Sequence, residues 1–367
     1  MASSDEQPKK TSEVAQQAVA RAFGSENRAR LLVRYFNGAG VVNTANAWQH
    51  IYRLLLWIDK TTALAHCYES DKAQPGRPWY ARSLAFHDWV SKSLEVSPSD
   101  LGENIDWLFR EAIKDLASKA LAIRTELYEE QRVPYKGRGF PEPGEDSELV
   151  SIVKETLGEW MRQEPPEDAY RTLTRRLYVY MTQENKRRNL VGEGFEDVIG
   201  AVVKRLPLSG NFKIHSRTLL HDLPGFNPPA RNEKAKKVDL ALIRGNERIL
   251  ISAKWSIRAD REEQFQSDFE SYARLEAAGR DFEYVLITNE FDAARLKAAS
   301  ERRKQNASLF TNVVHINPAA VLETYGDAKQ GAVNDVRAHV GSGRLMSLER
   351  WLGELEDHRP RAKTSKK

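Results

Sequence analysis

One cysteine, Cys67, stands in 367 residues, and that scarcity is the first constraint. It excludes a disulfide within the chain and any zinc site built from several cysteines of one chain. Cys67 itself lies in an apolar helical context and reads as a core residue rather than a nucleophile. No apolar run approaches the length of a membrane span, and the polar start from Met1 to Lys10 has no apolar signal-peptide segment. A cytoplasmic protein with no membrane partner is therefore expected. An excess of one charge is missing too: 56 Lys and Arg face 52 Asp and Glu, a net charge of +4. That balance suits a local basic groove without singling out nucleic-acid binders. There is no internal repeat and no helix-turn-helix pattern, and Gly192-x-Gly194 lacks the third glycine and the Lys-Ser/Thr of a phosphate loop.

What is present is enough apolar material for a sizeable core: 41% of the residues are hydrophobic and 29% charged, and the length suits two domains. Apolar periodicity predicts helices over 14–23, 28–36, 45–64, 79–94 and 105–127. Ser97 to Asp100 and Pro134 to Gly144 break the pattern, and the second break reads as an interdomain linker. Trp48, Trp57, Trp79, Trp89 and Trp107 fall in this helical half and read as core or interface residues. The basic runs Arg175-Arg176 and Lys186-Arg187-Arg188 read as solvated helix faces. The expected organisation is a disordered start over 1–10, an all-helical domain over 11–140, a second domain over 141–358 and a basic disordered tail over 359–367.

The second half alternates. A helical stretch from about Asp168 to Leu206, interrupted near Gly192, leads to a strand near Phe212 to Ile214 and to strands carrying Asp239 and Lys254. A helix over 262–278, a strand over 284–288, a helix over 293–301, a strand over 313–316 and a helix over 318–325 follow. This order predicts an α/β domain with a mixed sheet flanked by helices.

Chemistry concentrates in the hairpin of that sheet. Residues 237–243 alternate about Asp239, Arg244-Gly245-Asn246-Glu247 has turn composition, and residues 248–254 return to Lys254. With a period of two, Ser252 and Lys254 share a face, and the short connection lets Asp239 face them. Hydrolysis of a phosphodiester needs an anionic ligand for a hard cation and a cationic group beside the attacking water. Taken singly, Asp239 reads as a solvated acid and Lys254 as a lysine lying along apolar surface. Together, in an apolar hairpin, they are costly to bury unless a metal or phosphate compensates them.

Asp239, a gap, and Ser252-Ala253-Lys254 resemble the core of the PD-(D/E)XK nuclease superfamily, in the variant where serine replaces the second strand carboxylate. The continuation Lys254-Trp255-Ser256-Ile257-Arg258-Ala259-Asp260-Arg261 is similar to the CCGG family of type II restriction endonucleases. The resemblance covers roughly Val191 to Ile316. It implies that Asp239 is the principal metal ligand, that Lys254 orients or activates water, and that Ser252 stands where the usual second acid would be. Family members carry a glutamate thirteen or fourteen residues after the lysine, where this chain has Ser267 and Asp268. Asp268 is the first choice for the relocated acid, with Glu270 as the alternative, while Glu262 and Glu263 read as first-turn residues favoured by the helix dipole. The Gly-x-x-Phe-Glu pattern that ends at Glu196 is similar to the element that brings a further metal-binding glutamate, although a surface glutamate on an amphipathic helix reads equally well.

The same resemblance assigns base recognition to Arg258, Asp260 and Arg261. A guanidinium pairs with guanine O6 and N7 and a carboxylate accepts from cytosine N4, so the cluster suits G·C pairs; the plainer reading is a surface salt bridge. It further implies a Mg2+ cofactor and double-stranded DNA as partner, read as a palindrome with a CCGG or CC-N-GG core by a homodimer or tetramer. The products would carry 5′ overhangs, and a cognate DNA methyltransferase would act on the same site. Two other readings stand beside it: a repair or junction nuclease of the same fold, and a catalytically silent DNA-binding protein.

Overall fold

The computed structural model describes residues 20–56, 78–114, 133–135, 147–158, 161, 163, 165–257, 262–277, 279, 281–304, 306–326 and 331–357. Cys67, the segments 1–10 and 359–367, and most of the expected linker lie outside them. The chain forms two compact units, one of residues 1–27 with 112–191, the other of residues 28–111 with 192–367. Among the described residues no helix is long and apolar enough to cross a membrane.

The first unit is helical in its described part. It holds Ser147–Gly158 and the first portion of the long helix Glu167–Val203. Within it the ammonium of Lys154 lies 5.1 Å from the ring centroid of Tyr170.

The second unit is built on a six-stranded sheet. Its strands are β1 (Lys213–Leu219), β2 (Lys237–Arg244), β3 (Glu247–Lys254) and β4 (Glu283–Thr288). A separate hairpin of β5 (Arg303–Lys304) and β6 (Ala307–Ser308) precedes β7 (Asn312–His315) and β8 (Leu345–Ser347). The sheet order is β1-β2-β3-β4-β7-β8. Pairing is antiparallel from β1 to β3 and parallel from β3 to β8. The expected mixed α/β sheet flanked by helices is therefore present. Runs such as Tyr284-Val285-Leu286-Ile287 are buried at every position, the pattern of a strand with both faces covered.

Local chemistry sets the boundaries. Gly245 has φ +59° at the first central position of the two-residue β2–β3 turn, as a type II′ hairpin requires, and Arg244 closes the turn onto Glu247 at 2.8 Å. Asp292 caps helix Ala293–Glu301 by accepting from the amides of Ala294 and Arg295, and Asn317 followed by Pro318 starts helix Pro318–Tyr325. Helices from the N-terminal half pack within this unit. The hydroxyl of Tyr52 donates to Oδ1 of Asn289 at 2.9 Å, and Phe86 meets Phe291 edge-on at 5.0 Å.

The expected interruption near Gly192 is absent, and the long helix runs unbroken through the glycines. Two of them serve packing instead of a break. A Cβ on Gly194 would stand 3.4 Å from Leu108 and 3.5 Å from Leu55, and one on Gly200 would stand 2.8 Å from Oγ of Ser216. Small residues let the helix approach its neighbours closely, and the helix is held by buried Phe195, Val198, Ile199 and Val202.

Candidate active site

Asp239 lies where the β2–β3 ladder ends. The last ladder pair is Leu240 with Ile251, and one residue further out the Ala253 amide donates to Oδ2 of Asp239 at 3.0 Å. Nζ of Lys254 donates to the same oxygen at 2.7 Å. Ser252, on the same strand face as Lys254, is buried. The antiparallel hairpin thus delivers an acid and an amine to one point.

Glu196 arrives from the long helix. Gly200 lies one turn further along the same face, and its close approach to Ser216 brings the helix down on β1. Phe195 packs edge-on against Trp255 at 5.3 Å. From that position Oε1 of Glu196 lies 3.8 Å from Nζ of Lys254, and Oε2 accepts from Nε of Arg217 at 2.8 Å. Burial raises the Glu196 pKa first, and the negative charge of Asp239 raises it further, while Lys254 and Arg217 pull it down.

Charges continue behind this trio. Arg217 also lies 3.5 Å from Asp197, which accepts from the buried Arg28 at 2.7 Å, and Arg28 reaches Glu193 at 3.2 Å. The acids Glu193, Asp197, Glu196 and Asp239 are interleaved with the cations Arg28, Arg217 and Lys254. Alternation of this kind keeps partly desolvated charges compensated.

Asp268 sits on helix Glu262–Leu275 and accepts from Nζ of Lys236 at 2.7 Å. Its charge and that of Asp239 both raise the pKa of Tyr272, after the larger effect of burial. The phenol of Tyr284 is raised by burial, then by Tyr272, Asp268 and Asp239. Glu270, the alternative, is exposed and pairs with Lys304 at 3.3 Å, and Gln266 and Lys304 hold its pKa down. Glu196, Asp239 and Lys254 are thus gathered together, while Asp268 has a lysine partner of its own. Among the described residues no three His, Cys, Asp or Glu side chains stand grouped for a metal.

Arg258, Asp260 and Arg261 lie outside the described residues. The residue just before them is firmly held: the Ile257 amide donates to Oε2 of buried Glu290 at 2.8 Å. Oε1 of Glu290 accepts from the amides of Phe291 and Asp292.

Sequence reasoning passed over Arg217, Lys236, Arg28 and Glu290. Lys236 had a local signal, its place in the Lys236-Lys237 doublet before Asp239. Arg28 and Arg217 meet their acids only through long-range contacts, and Glu290 joins local amides to that of the distant Ile257.

No family model matches the sequence, and no curated protein does. A solved structure described as metal-depleted Ecl18kI in complex with uncleaved, modified DNA is similar at 12% identity with a TM-score of 0.38. The match covers 95% of this chain and 83% of that one.

Proposed function

We propose that this protein is a type II restriction endonuclease that hydrolyses phosphodiester bonds in double-stranded DNA with Mg2+. The observation that carries the reading is the convergence of Asp239, Glu196 and Lys254, from two strands and a helix, with Lys254 2.7 Å from one acid and 3.8 Å from the other.

The donor set fits a hard divalent cation. Glu196 and Asp239 offer carboxylate oxygens only, and they are close enough that the charge of Asp239 raises the pKa of Glu196. Magnesium is commonly held by one or two carboxylates with its remaining positions hydrated. Asp239 and Glu196 would hold it, with Asp268 as a third acid and Glu270 as the alternative. When bound, the ion supplies electrophilic stabilisation of the phosphoryl oxygens and lowers the pKa of water.

The protein groups then have distinct tasks. The Lys254 ammonium orients the attacking water and offsets the negative charge that grows on the phosphate as water adds to phosphorus and the bond to the sugar oxygen breaks. Asp239 fixes that ammonium and is itself fixed by the Ala253 amide. Ser252 leaves the second-acid position without charge. Arg258, Asp260 and Arg261 read G·C pairs in the major groove. The target on this reading is a palindrome with a CCGG or CC-N-GG core, cut to leave 5′ overhangs. A homodimer, or a tetramer of two, matches the two-fold symmetry of such a site, and a cognate methyltransferase protects cytoplasmic host DNA.

The test is incubation of the purified protein with unmethylated phage DNA, with and without Mg2+, beside a Lys254→Ala control, followed by sequencing of the ends. Discrete Mg2+-dependent fragments that share a CC/GG core and vanish with Lys254→Ala are expected. Cleavage confined to branched or nicked DNA would move the protein to the repair nucleases. Selective duplex binding without any cleavage would make it a silent DNA-binding protein.

A further inference from the structure

Arg217 occupies a backbone conformation that its neighbours do not share. Its φ is +51°, in the left-handed region that residues other than glycine rarely enter, yet it lies inside β1. Ser216 pairs with Leu240 and Thr218 with Val238, so the ladder is regular on either side, and the irregularity falls opposite Asp239.

The direction of the side chain explains the kink. Ser216 faces the long helix, because a Cβ on Gly200 would stand 2.8 Å from its Oγ. In a regular strand the next residue points to the opposite face. Arg217 instead meets the same helix: its guanidinium donates to Oε2 of Glu196 at 2.8 Å and to the carbonyl of Glu193, and lies 3.5 Å from Asp197. Two successive strand residues reach one helix, and the left-handed residue is what allows it. Strained backbone that persists in a well-packed setting tends to mark a functional constraint.

We propose that the kink in β1 serves to aim Arg217 at Glu196, and that Arg217 is a positioning residue that holds the Glu196 carboxylate against the Asp239–Lys254 pair. The inference rests on the nuclease reading for its catalytic consequence, but its structural content is separate. Without the guanidinium, Glu196 carries a charge in a mostly buried place beside a second carboxylate. It then turns away from Asp239 toward solvent. Lys254 alone, at 3.8 Å, does not retain it.

Two substitutions separate the side chain from the backbone. Glycine accepts a positive φ and alanine does not, so Arg217→Gly has a higher melting temperature than Arg217→Ala although both lack the guanidinium. Both lower kcat for DNA cleavage by about 10²-fold, the scale of a catalytic group misplaced by about an ångström, with KM little changed. Arg217→Lys keeps the charge but not the forked geometry and recovers only part of the loss. On a Glu196→Ala background Arg217→Ala causes no further loss, because residues that act through one another are not additive. A crystal structure of Arg217→Gly shows the Glu196 carboxylate turned away from Lys254.

The inference is overturned if Glu196 keeps its place in Arg217→Gly, if Arg217→Gly melts no higher than Arg217→Ala, or if the two losses multiply on the Glu196→Ala background. If the wild-type protein cuts no DNA, the nuclease reading fails by itself. The crystal structure and the melting comparison then decide the role of Arg217 without reference to activity.

Discussion

Nζ of Lys254 donates a 2.7 Å hydrogen bond to Oδ2 of Asp239 across the frayed end of the β2–β3 ladder. Each side chain is mostly buried and each compensates the other. Lys254→Ala therefore leaves Asp239 short of a partner and, on the proposed nuclease reading, removes the cation assigned to the phosphate. Single-turnover cleavage by this variant is expected to fall by ~10²–10⁴, the range for loss of a positioned proton-transfer or water-activating group. Binding to the same duplex, measured by gel shift, is expected to remain. Cleavage at the wild-type rate would remove Lys254 from the mechanism.

Glu196 is predicted to trade stability for function. Its folded pKa is raised above the ordinary 4.5, by burial first and then by Asp239. A carboxyl with a raised folded pKa contributes stability that is fully present below the unfolded pKa and is lost as pH rises through the folded one. Above that window the ionised group is a net cost to the fold. Glu196→Gln is therefore expected to melt at a higher temperature than wild type at pH 8, with the advantage shrinking toward pH 4, while Mg2+-dependent cleavage falls steeply but stays measurable in single turnover. Equal melting temperatures at pH 8 would show that the cations Arg217 and Lys254 fully offset the burial of the charge.

The hairpin around Asp239 and Lys254 was legible because strand alternation and turn chemistry are local. Gly245 between two apolar runs defines the β2–β3 register, and register decides which side chains meet. Apart from the two-residue strands β5 and β6, the alternation of strands and helices through Tyr325 was legible for the same reason. The three-residue strand Leu345–Ser347 was not, since it is too short to carry a period. Gly192 and Gly194 read as a helix break because their propensity is poor, but the space Gly194 leaves for Leu55 and Leu108 is a tertiary fact. Arg217 was invisible for a stronger reason: nothing in Lys213-Ile-His-Ser-Arg-Thr-Leu219 marks an arginine that will enter the left-handed region. Its partners lie on a helix whose closeness depends on Gly200.

His315 sets a prediction for mildly acid pH. It is fully buried, and its Nδ1 accepts from the Asn317 amide, so Nε2 carries the hydrogen and donates to the Glu290 carbonyl. Burial lowers its pKa from 6.5 to about 4. A depressed histidine pKa gives stability that is present above the unfolded value and is lost as pH falls through 6.5 toward 4. The amount is roughly 3 kcal/mol at neutral pH. Glu290, whose carboxyl burial raises, runs in the opposite sense, so the comparison must be between variants. Urea unfolding at pH 7, 6, 5 and 4 is expected to show wild type losing stability faster than His315→Gln, which retains a donor toward Glu290 but cannot be protonated. Parallel curves would mean that His315 is not held neutral.

The approach of the long helix to β1 can be tested by the atom that limits it. Gly200 is in a helix interior, where alanine is ordinarily better by about 0.5–1 kcal/mol. Here an added Cβ would stand 2.8 Å from Oγ of Ser216, with Leu240 next at 3.6 Å in ordinary contact. The hydroxyl is thus the sole close obstacle. Gly200→Ala alone is expected to forfeit the helical gain and to reduce cleavage, because any outward shift of the helix carries Glu196 away from Lys254. In a Ser216→Ala background the obstacle is gone. Gly200→Ala should then add about 0.5–1 kcal/mol relative to Ser216→Ala by itself, and cleavage should return to the level of Ser216→Ala. A gain from Gly200→Ala that is the same with serine or alanine at 216 would mean that the helix yields freely. The spacing of Glu196 from the hairpin would then be set elsewhere than at this contact.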